Sequence, residues 1–203
     1  NTMPCWRLAT QQGRMLECKS KVDLVMVVDS SGSLGSYGWE QSKKLAEVLV
    51  KSFSQVKEAD IKIALLEFSS RRKTKWITHL TDGTKEKDAS GMNWFRSGTA
   101  TDQALGMAQS ELVYGRSDAT PIVVVVTDGR PSSTRRTFRA ARRLQKRAKL
   151  VWVPIGRRAP VRLINRMAAR PTRDHIVRFY TFGQLTNARL INRLIGASCP
   201  EVA

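Results

Sequence analysis

Carboxylates and hydroxyls follow two apolar runs of this sequence at spacings that suit metal binding. Asp29 ends the first run, and serines follow at alternate positions, Ser31 and Ser33. Asp128 lies in a Thr-Asp-Gly turn after a second run, and Thr99 lies in a loop before a predicted helix. Alternate side chains on a turn can converge on one point, and carboxylate and hydroxyl oxygens suit Mg²⁺ or Mn²⁺. The sequence therefore predicts a site for a divalent cation.

Each motif alone also has a plain structural interpretation. An Asp-x-Ser-x-Ser segment can be a turn whose side chains cap the next helix, and Thr-Asp-Gly is a common turn after a strand. Three oxygen-bearing segments in this order, each at the end of a predicted element, favour the metal site over three unrelated turns.

The elements that must position these side chains alternate along the chain. Apolar runs predict strands at Val22 to Val28, Ile61 to Phe68, Pro121 to Val126, Leu150 to Ile155 and Ile176 to Tyr180, with an edge strand at Lys73 to Leu80. Helical spacing predicts helices at Trp39 to Phe53, Thr101 to Val113, Ser132 or Ser133 to Ala148, Pro160 to Ala169 and Gly183 to Ile195, and a short one within Thr81 to Ser97.

This order predicts a doubly wound, Rossmann-like α/β fold. Its central sheet is mostly parallel with one antiparallel edge strand, and helices cover both faces. Ligands of such sheets bind beyond the carboxyl ends of the strands, which is where Asp29 and Asp128 fall. The 203 residues suffice for one domain.

The charge of the chain predicts polyanionic partners. Lys and Arg total 35 against 17 Asp and Glu, a formal net charge of +18. Nucleic acid, sulfated glycosaminoglycan and anionic membrane are all candidates on charge alone. From Arg130 to Arg170 there are fourteen basic residues and no acidic one. Within this tract the candidate polyanion-binding residues are Arg135, Arg139, Arg142, Arg143 and Lys146. A merely solvated helix face is the alternative, although such faces normally mix both signs.

Three cysteines bear on the compartment. Cys18 precedes the first predicted strand and Cys199 follows the last helix, so one bridge could join the two ends of the domain. Such a bridge implies an oxidising compartment and leaves Cys5 over. Three free, buried thiols are the alternative.

The three oxygen-bearing segments together resemble the metal-ion-dependent adhesion site of von Willebrand factor A domains and integrin inserted domains. The resemblance implies that Asp29, Ser31, Ser33, Thr99 and Asp128 hold Mg²⁺, with Mn²⁺ as a substitute. It also implies that the metal keeps one position for an acidic side chain of the partner.

The opening Cys-Lys-Ser-Lys-Val-Asp-Leu and the closing Ile-Gly-x-x-Cys resemble the A domain of apicomplexan thrombospondin-related adhesive proteins, over Cys18 to Cys199. The resemblance implies a secreted or surface adhesin that passes through micronemes, binds an acidic host receptor, and supports gliding motility and host-cell invasion. Sulfated glycosaminoglycan is then the natural polyanion for the basic helix. Some relatives carry a further cysteine pair before the last helix, and this chain has none.

We expect an arm at residues 1–20, the A domain at 21–198, and a stub at 199–203 that leads to further domains and a membrane anchor. A basic domain with a purely structural metal is one alternative. A Mg²⁺-dependent phosphoryl-transfer enzyme is a remote one, because it needs a second carboxylate where this chain has Ser31, so no enzymatic activity is expected. No specific nucleic-acid partner is expected either, since no recognised nucleic-acid motif is present.

Overall fold

One sheet runs through the part of the chain that the structure describes. This computed structural model describes residues 16, 18, 20–54, 60–82 and 84–200. The strands of the sheet are β1 (Val22–Asp29), β2 (Ile61–Phe68), β3 (Thr74–Thr78), β4 (Thr120–Thr127) and β5 (Lys149–Pro154). Their spatial order is β3-β2-β1-β4-β5, and every pairing is parallel except that of β3 with β2. The predicted fold class is confirmed.

Helices cover both faces of the sheet. The α-helices of the described residues are α1 (Gly35–Ser54), α2 (Glu86–Ser90), α3 (Thr101–Glu111), α4 (Thr134–Leu144), α5 (Val161–Met167) and α6 (Ala188–Ser198). Helices α1, α2 and α6 pack on one face, and α3, α4 and α5 pack on the other. Short 3-10 helices lie at Gly32–Leu34, Leu112–Tyr114, Thr172–Asp174 and Phe182–Thr186.

The central strands are apolar on both sides because both sides are covered. All eight residues of β1 are buried. Leu24, Met26 and Val28 face the α1 side, whereas Val25 and Val27 face the α3 side. A parallel strand buried on both faces needs such an apolar run, and the run ends at Asp29, which is buried as well.

The prediction of a strand at Ile176 to Tyr180 is wrong. The segment runs beside β5 but makes only isolated bridges, Trp152 with Ile176 and Ile155 with Phe179. Val177 N donates to Trp152 O and Phe179 N donates to Pro154 O. Between these two bonds a regular ladder needs an N–H from residue 154, and proline has none. The ladder is therefore interrupted at that point.

The closing helix also begins later than predicted. Instead of one helix from Gly183 to Ile195, a 3-10 helix at Phe182–Thr186 precedes α6. Asn187 separates them, and its side chain accepts a hydrogen bond from Leu190 N, as a residue at a helix start does. Most other predicted boundaries lie within three residues of the observed ones, although α1 begins four residues earlier and α4 ends four residues sooner.

A disulfide bond joins Cys18, just before β1, to Cys199, just after α6. It spans 181 residues of sequence and holds the two ends of the domain together. Nearby, Leu16 is buried and its backbone N–H donates to the side chain of Asn192. Cys5, most of the expected arm and residues 201–203 of the stub expected at 199–203 lie outside the described residues. In the described part of the chain no helix has the length and apolar character to cross a membrane.

Candidate metal centre

The parallel pairing of β1 and β4 brings Asp29 and Asp128 to the same edge of the sheet. Val28 pairs with Val126, so the two strands end side by side. Asp29 is the last residue of β1, and Asp128 directly follows β4. Both carboxylates are buried. The fold therefore places two acidic side chains at the carboxyl end of its central strands.

Both oxygens of Asp29 are held by hydrogen bonds. Oδ1 accepts from the backbone N–H of Ser31 at 2.8 Å, and Oδ2 accepts from the hydroxyl of Thr127 at 2.6 Å. The first bond shapes the loop after β1, and the second ties Asp29 to the end of β4. The orientation of this carboxylate is thus fixed by the two strands that carry the site.

A row of oxygens leads from Ser31 to Asp128. The Oγ atoms of Ser31 and Ser33 lie 3.0 Å apart, and Ser33 Oγ donates to Asp128 Oδ1 at 2.8 Å. Ser31 is buried, whereas Ser33 is exposed. The row therefore begins in the protein interior and opens to solvent at Ser33.

Thr99 joins this cluster from a separate loop. Its backbone N–H donates to Ser132 Oγ, and its carbonyl accepts from Ser132 N, so the loops after β4 and before α3 are held together. A Cβ atom built on Gly129 would lie 3.4 Å from both Thr99 Oγ1 and Ser33 Oγ. The absence of a side chain at Gly129 keeps open the space between these hydroxyls.

The oxygen spacing within the row from Ser31 to Asp128 suits a small divalent cation. Adjacent ligands of octahedral Mg²⁺, each about 2.1 Å from the metal, lie about 3.0 Å apart. The Ser31–Ser33 and Ser33–Asp128 oxygen separations of 3.0 and 2.8 Å match that spacing. Among the described residues there is no cluster of three or more His, Cys, Asp or Glu side chains suited to a metal. A cation here would depend on hydroxyls for most of its protein ligands.

The electrostatics of the site also suit a cation. Burial raises the pKa of the Asp29 carboxyl to about 7, despite the hydrogen bonds from Thr127 and Ser31, and the nearby Asp128 adds to the effect. Burial raises the pKa of Asp128 as well. Within the described part of the chain neither carboxylate has a basic partner, so both are costly when ionised, and a divalent cation would offset this cost.

Three positioning residues escape sequence reasoning. Thr127 holds Asp29, Ser132 holds the Thr99 loop, and Trp94 Nε1 donates to the carbonyl of Ser31 at 2.9 Å. Thr127 could have been found, because a hydroxyl at the end of a central strand beside a carboxylate is a signal for such a bond. Trp94 gives no signal of this kind, since it lies 63 residues after Ser31 in the sequence and reaches it only through the path of its loop.

The candidate polyanion-binding residues lie together on the exposed side of α4 and just after it. Arg135, Arg139, Arg142, Arg143 and Lys146 are all exposed. The opposite side of α4 buries Ala140, Ala141 and Leu144 against the sheet. The guanidinium of Arg142 stacks on the Phe138 ring at 4.4 Å. Within the described part of the chain none of the five makes an ion pair. Helix α4 starts two residues after Ser132, so its first turn adjoins the candidate metal centre.

Comparison with known proteins identifies the family. The chain belongs to the von Willebrand factor type A domain family, whose model matches residues 23–190. No curated protein sequence matched the chain.

Solved structures show the same fold. Proximal thread matrix protein 1 from the mussel byssus has a TM-score of 0.75 at 19% identity, over 87% of this chain and 48% of that protein. Another structure of that protein, with 17% identity and a TM-score of 0.74, is described as having a zinc-occupied MIDAS motif. This chain therefore spans about half the length of the mussel protein.

Two further solved structures are also similar. Manganese-loaded TRAP protein of Plasmodium vivax has a TM-score of 0.66 at 21% identity, over 86% of this chain and 75% of that one. The pilus adhesin SpaC of Lactobacillus rhamnosus GG has a TM-score of 0.69 at 14% identity, over 89% of this chain and 31% of that one. At these identities the likeness is one of fold.

Proposed function

We propose that this A domain is a metal-dependent adhesion module, in which Asp29, Ser31, Ser33, Thr99 and Asp128 hold Mg²⁺ or Mn²⁺ for an acidic group of a receptor. The observation that supports the proposal is the oxygen row Ser31–Ser33–Asp128, with the hydroxyls of Ser33 and Thr99 both next to the space at Gly129. The zinc-occupied and manganese-loaded structures of similar fold support it.

The ligand set explains why the site suits adhesion. When bound, a divalent cation supplies a strong electrostatic attraction for a carboxylate oxygen of the partner. Only two of the five proposed ligands are carboxylates, so they at most balance the charge of the cation, and neutral hydroxyls leave it a stronger acceptor for a further anion than a carboxylate-rich set would. Thr127 and the Ser31 backbone hold Asp29 in place, and Ser33 is an exposed residue that a partner can approach.

The family resemblance extends the proposal to the whole protein. We infer a secreted adhesin that passes through micronemes to a parasite surface, binds a host receptor, and supports gliding and invasion. The Cys18–Cys199 bond supports an oxidising, extracellular setting. We infer no catalytic role, because Ser31 stands where aspartyl phosphoryl-transfer enzymes need their second carboxylate.

Calorimetric titration and cell adhesion together test this function. Wild-type protein should take up one Mn²⁺ or Mg²⁺ per chain, and Asp29→Ala should take up none. Asp118→Ala removes an exposed carboxylate that pairs with Lys21 away from the site, so it should bind metal as the wild type does.

Host-cell adhesion should be lost in EDTA, return with Mn²⁺, and be lost in Asp29→Ala. Metal uptake without any effect of EDTA on adhesion would instead favour a purely structural metal. The absence of metal uptake by the wild type would contradict the proposal altogether.

A second candidate function, polyanion binding, is favoured by the one-signed surface of α4. Arginine guanidinium groups bind sulfate oxygens through paired hydrogen bonds. For an extracellular adhesin, sulfated glycosaminoglycan is the natural polyanionic ligand. Five exposed basic residues without acidic partners in the described chain fit such a ligand. This surface is separate in chemistry from the metal site, so its binding should not need a divalent cation.

Heparin chromatography in EDTA tests this second function. The salt concentration needed for elution should fall when Arg135, Arg139, Arg142 and Arg143 are all changed to Glu. A control variant with the same net charge changes four exposed basic residues elsewhere to Glu: Lys44, Lys51, Arg72 and Lys87. Equal elution of the two variants would show that net charge alone governs retention, and would remove α4 as a specific surface.

A further inference from the structure

An arginine with an unusual backbone conformation borders the candidate metal centre. Within the described residues Arg96 alone among non-glycine residues has a positive φ, 53°. Its N–H donates to Ser30 O, and the next residue, Ser97, accepts from Gly32 N. A residue with a side chain rarely adopts this conformation unless its surroundings enforce it. Here the enforcing contacts come from the loop that carries Ser31 and Ser33.

The side chain of Arg96 also contacts the protein beside the candidate site. Its guanidinium lies 4.2 Å over the ring of Trp94. The same indole donates from Nε1 to the carbonyl of Ser31 at 2.9 Å. The positive charge therefore rests on a ring that is itself bonded to a candidate ligand residue. Stacking of this kind orients a guanidinium and leaves the N–H groups at its edge free to bind an acceptor.

Metal binding alone does not account for this arginine. Arg96 is exposed, and no acidic side chain of the described chain pairs with it. A fixed positive charge beside a cation site disfavours the cation by like-charge repulsion. The same charge favours an anion that approaches the exposed Ser33 side of the site. The arrangement therefore suits the complex with an acidic partner better than it suits the metal-bound domain by itself.

We propose that Arg96 is a second anchor for the ligand, and that the ligand is a protein segment with two neighbouring acidic side chains. One carboxylate is directed to the metal site and the other pairs with the Arg96 guanidinium, which matches a carboxylate with two parallel N–H donors. This inference rests on the proposed function, because it assigns the chemistry of the partner of the same site.

Binding of two synthetic peptides tests this inference. The peptides are identical in length and sequence, except that one carries a single Glu and the other a Glu-Glu pair. With the domain immobilised in Mn²⁺, the wild type should bind the paired peptide roughly tenfold more tightly, because its second carboxylate gains a charge-assisted pair with Arg96 at an exposed position. Arg96→Gln should bind both peptides as weakly as the wild type binds the single one. Arg72→Gln removes an exposed arginine elsewhere and should keep the preference.

Calorimetry with Mn²⁺ separates this inference from the proposed function. Arg96→Gln should bind Mn²⁺ at least as tightly as the wild type does, because a repelling charge is gone. If Arg96→Gln keeps the preference for paired Glu, or if the wild type shows none, Arg96 is not an anchor although the metal site stands. Loss of heparin binding in Arg96→Gln with unchanged peptide binding would likewise overturn the acidic-protein ligand. Only a wild type without Mn²⁺ uptake would contradict the proposed function itself.

Discussion

Asp29 illustrates how the site depends on residues that never need to touch a metal. Its two oxygens are used by the Ser31 N–H and the Thr127 hydroxyl, which orient the carboxylate before any cation binds. Such outer partners typically change metal affinity by about 10–100-fold. At the scale of single residues, the account therefore makes its clearest claim about Thr127.

The variant Thr127→Val tests that claim because it keeps the size and shape of the side chain but removes the hydroxyl. We expect the Mn²⁺ affinity to fall by about tenfold or more, since Asp29 Oδ2 loses its 2.6 Å hydrogen bond. Thr127→Ser keeps the hydroxyl and should stay close to the wild type. Calorimetric titration of the three proteins measures the difference, and equal affinity of the valine variant would show that Thr127 does not position Asp29.

A second residue-scale prediction concerns Glu67, a buried carboxyl in β2 outside the candidate metal ligands. Burial raises its pKa to about 7, even though Asn93 N donates to it and Lys75 lies nearby. Between pH 4.5 and about 7 the folded chain keeps this proton while the unfolded chain releases it. Its contribution to stability is thus complete at low pH, is lost as pH rises through that range, and is constant above it.

Urea unfolding of the wild type and Glu67→Gln across this pH range measures the effect. The wild type should lose stability relative to the glutamine variant by on the order of 2–3 kcal/mol between pH 4.5 and 7.5. Glutamine has no proton to lose, so effects of other carboxyls cancel in the comparison. Parallel stability curves would show that the pKa of Glu67 is not raised by folding.

At the scale of elements, the two ends of the sheet differ. The candidate site lies at the carboxyl ends of the strands, and hydrogen bonds and ion pairs of Arg116, here called the Arg116 clamp, stabilise the opposite end, where β1 begins. Arg116 Nε donates to the buried Asp23 at 2.9 Å, and its Nη2 donates to the carbonyls of Val22 and Asp60. One arginine thereby ties the start of β1 to the segment before β2 and to the loop before β4.

This clamp should matter far more than an exposed ion pair beside it. Arg116→Met leaves the Asp23 carboxylate buried without its partner, and we expect a loss of about 3–5 kcal/mol in the free energy of unfolding. Lys21→Met removes an exposed lysine that pairs with Asp118, and its effect should be much smaller. Urea unfolding of both variants gives the comparison. Similar losses would mean that burial does not distinguish the two pairs.

Strands and helices could be predicted from the sequence where the local pattern of apolar residues matches the burial of the element in the fold. The apolar runs of β1, β2 and β4 could be predicted because strands covered on both faces must be apolar throughout. The segment 176–180 is also largely apolar, yet its ladder with β5 is interrupted because Pro154 has no N–H. Asp29, Ser31, Ser33 and Asp128 could likewise be named because they follow β1 and β4 directly, and Thr99 could be named from its place before a predicted helix. Trp94 and Arg96 depend on a loop whose path no local pattern encodes.

At the scale of the whole molecule, a strongly basic chain is closed by one covalent link. The Cys18–Cys199 bond spans 181 residues and joins the entry to β1 with the end of α6. A cross-link over so long a loop mainly reduces the freedom of the unfolded chain, by on the order of 4–5 kcal/mol in the chain-entropy description. The bond should therefore stabilise the domain without being part of the candidate site.

The double variant Cys18→Ala, Cys199→Ala should unfold at a clearly lower urea concentration than the oxidised wild type. Wild-type protein treated with a reducing agent should unfold near the double variant. Cys18 precedes the start of β1, whereas Asp29 lies at its carboxyl end. The Mn²⁺ affinity of the folded double variant should therefore be unchanged. A variant as stable as the oxidised wild type would refute the stabilising role of the bond.

The central claim is tested most directly by anomalous diffraction from crystals of the domain grown with Mn²⁺. The account predicts one Mn²⁺ peak above Gly129, about 2.2 Å from the hydroxyl oxygens of Ser31, Ser33 and Thr99, with Asp29 and Asp128 bound directly or through water. A Mn²⁺ ion bound by other residues, or no Mn²⁺ peak in crystals in which these loops are ordered, would contradict the proposed metal site.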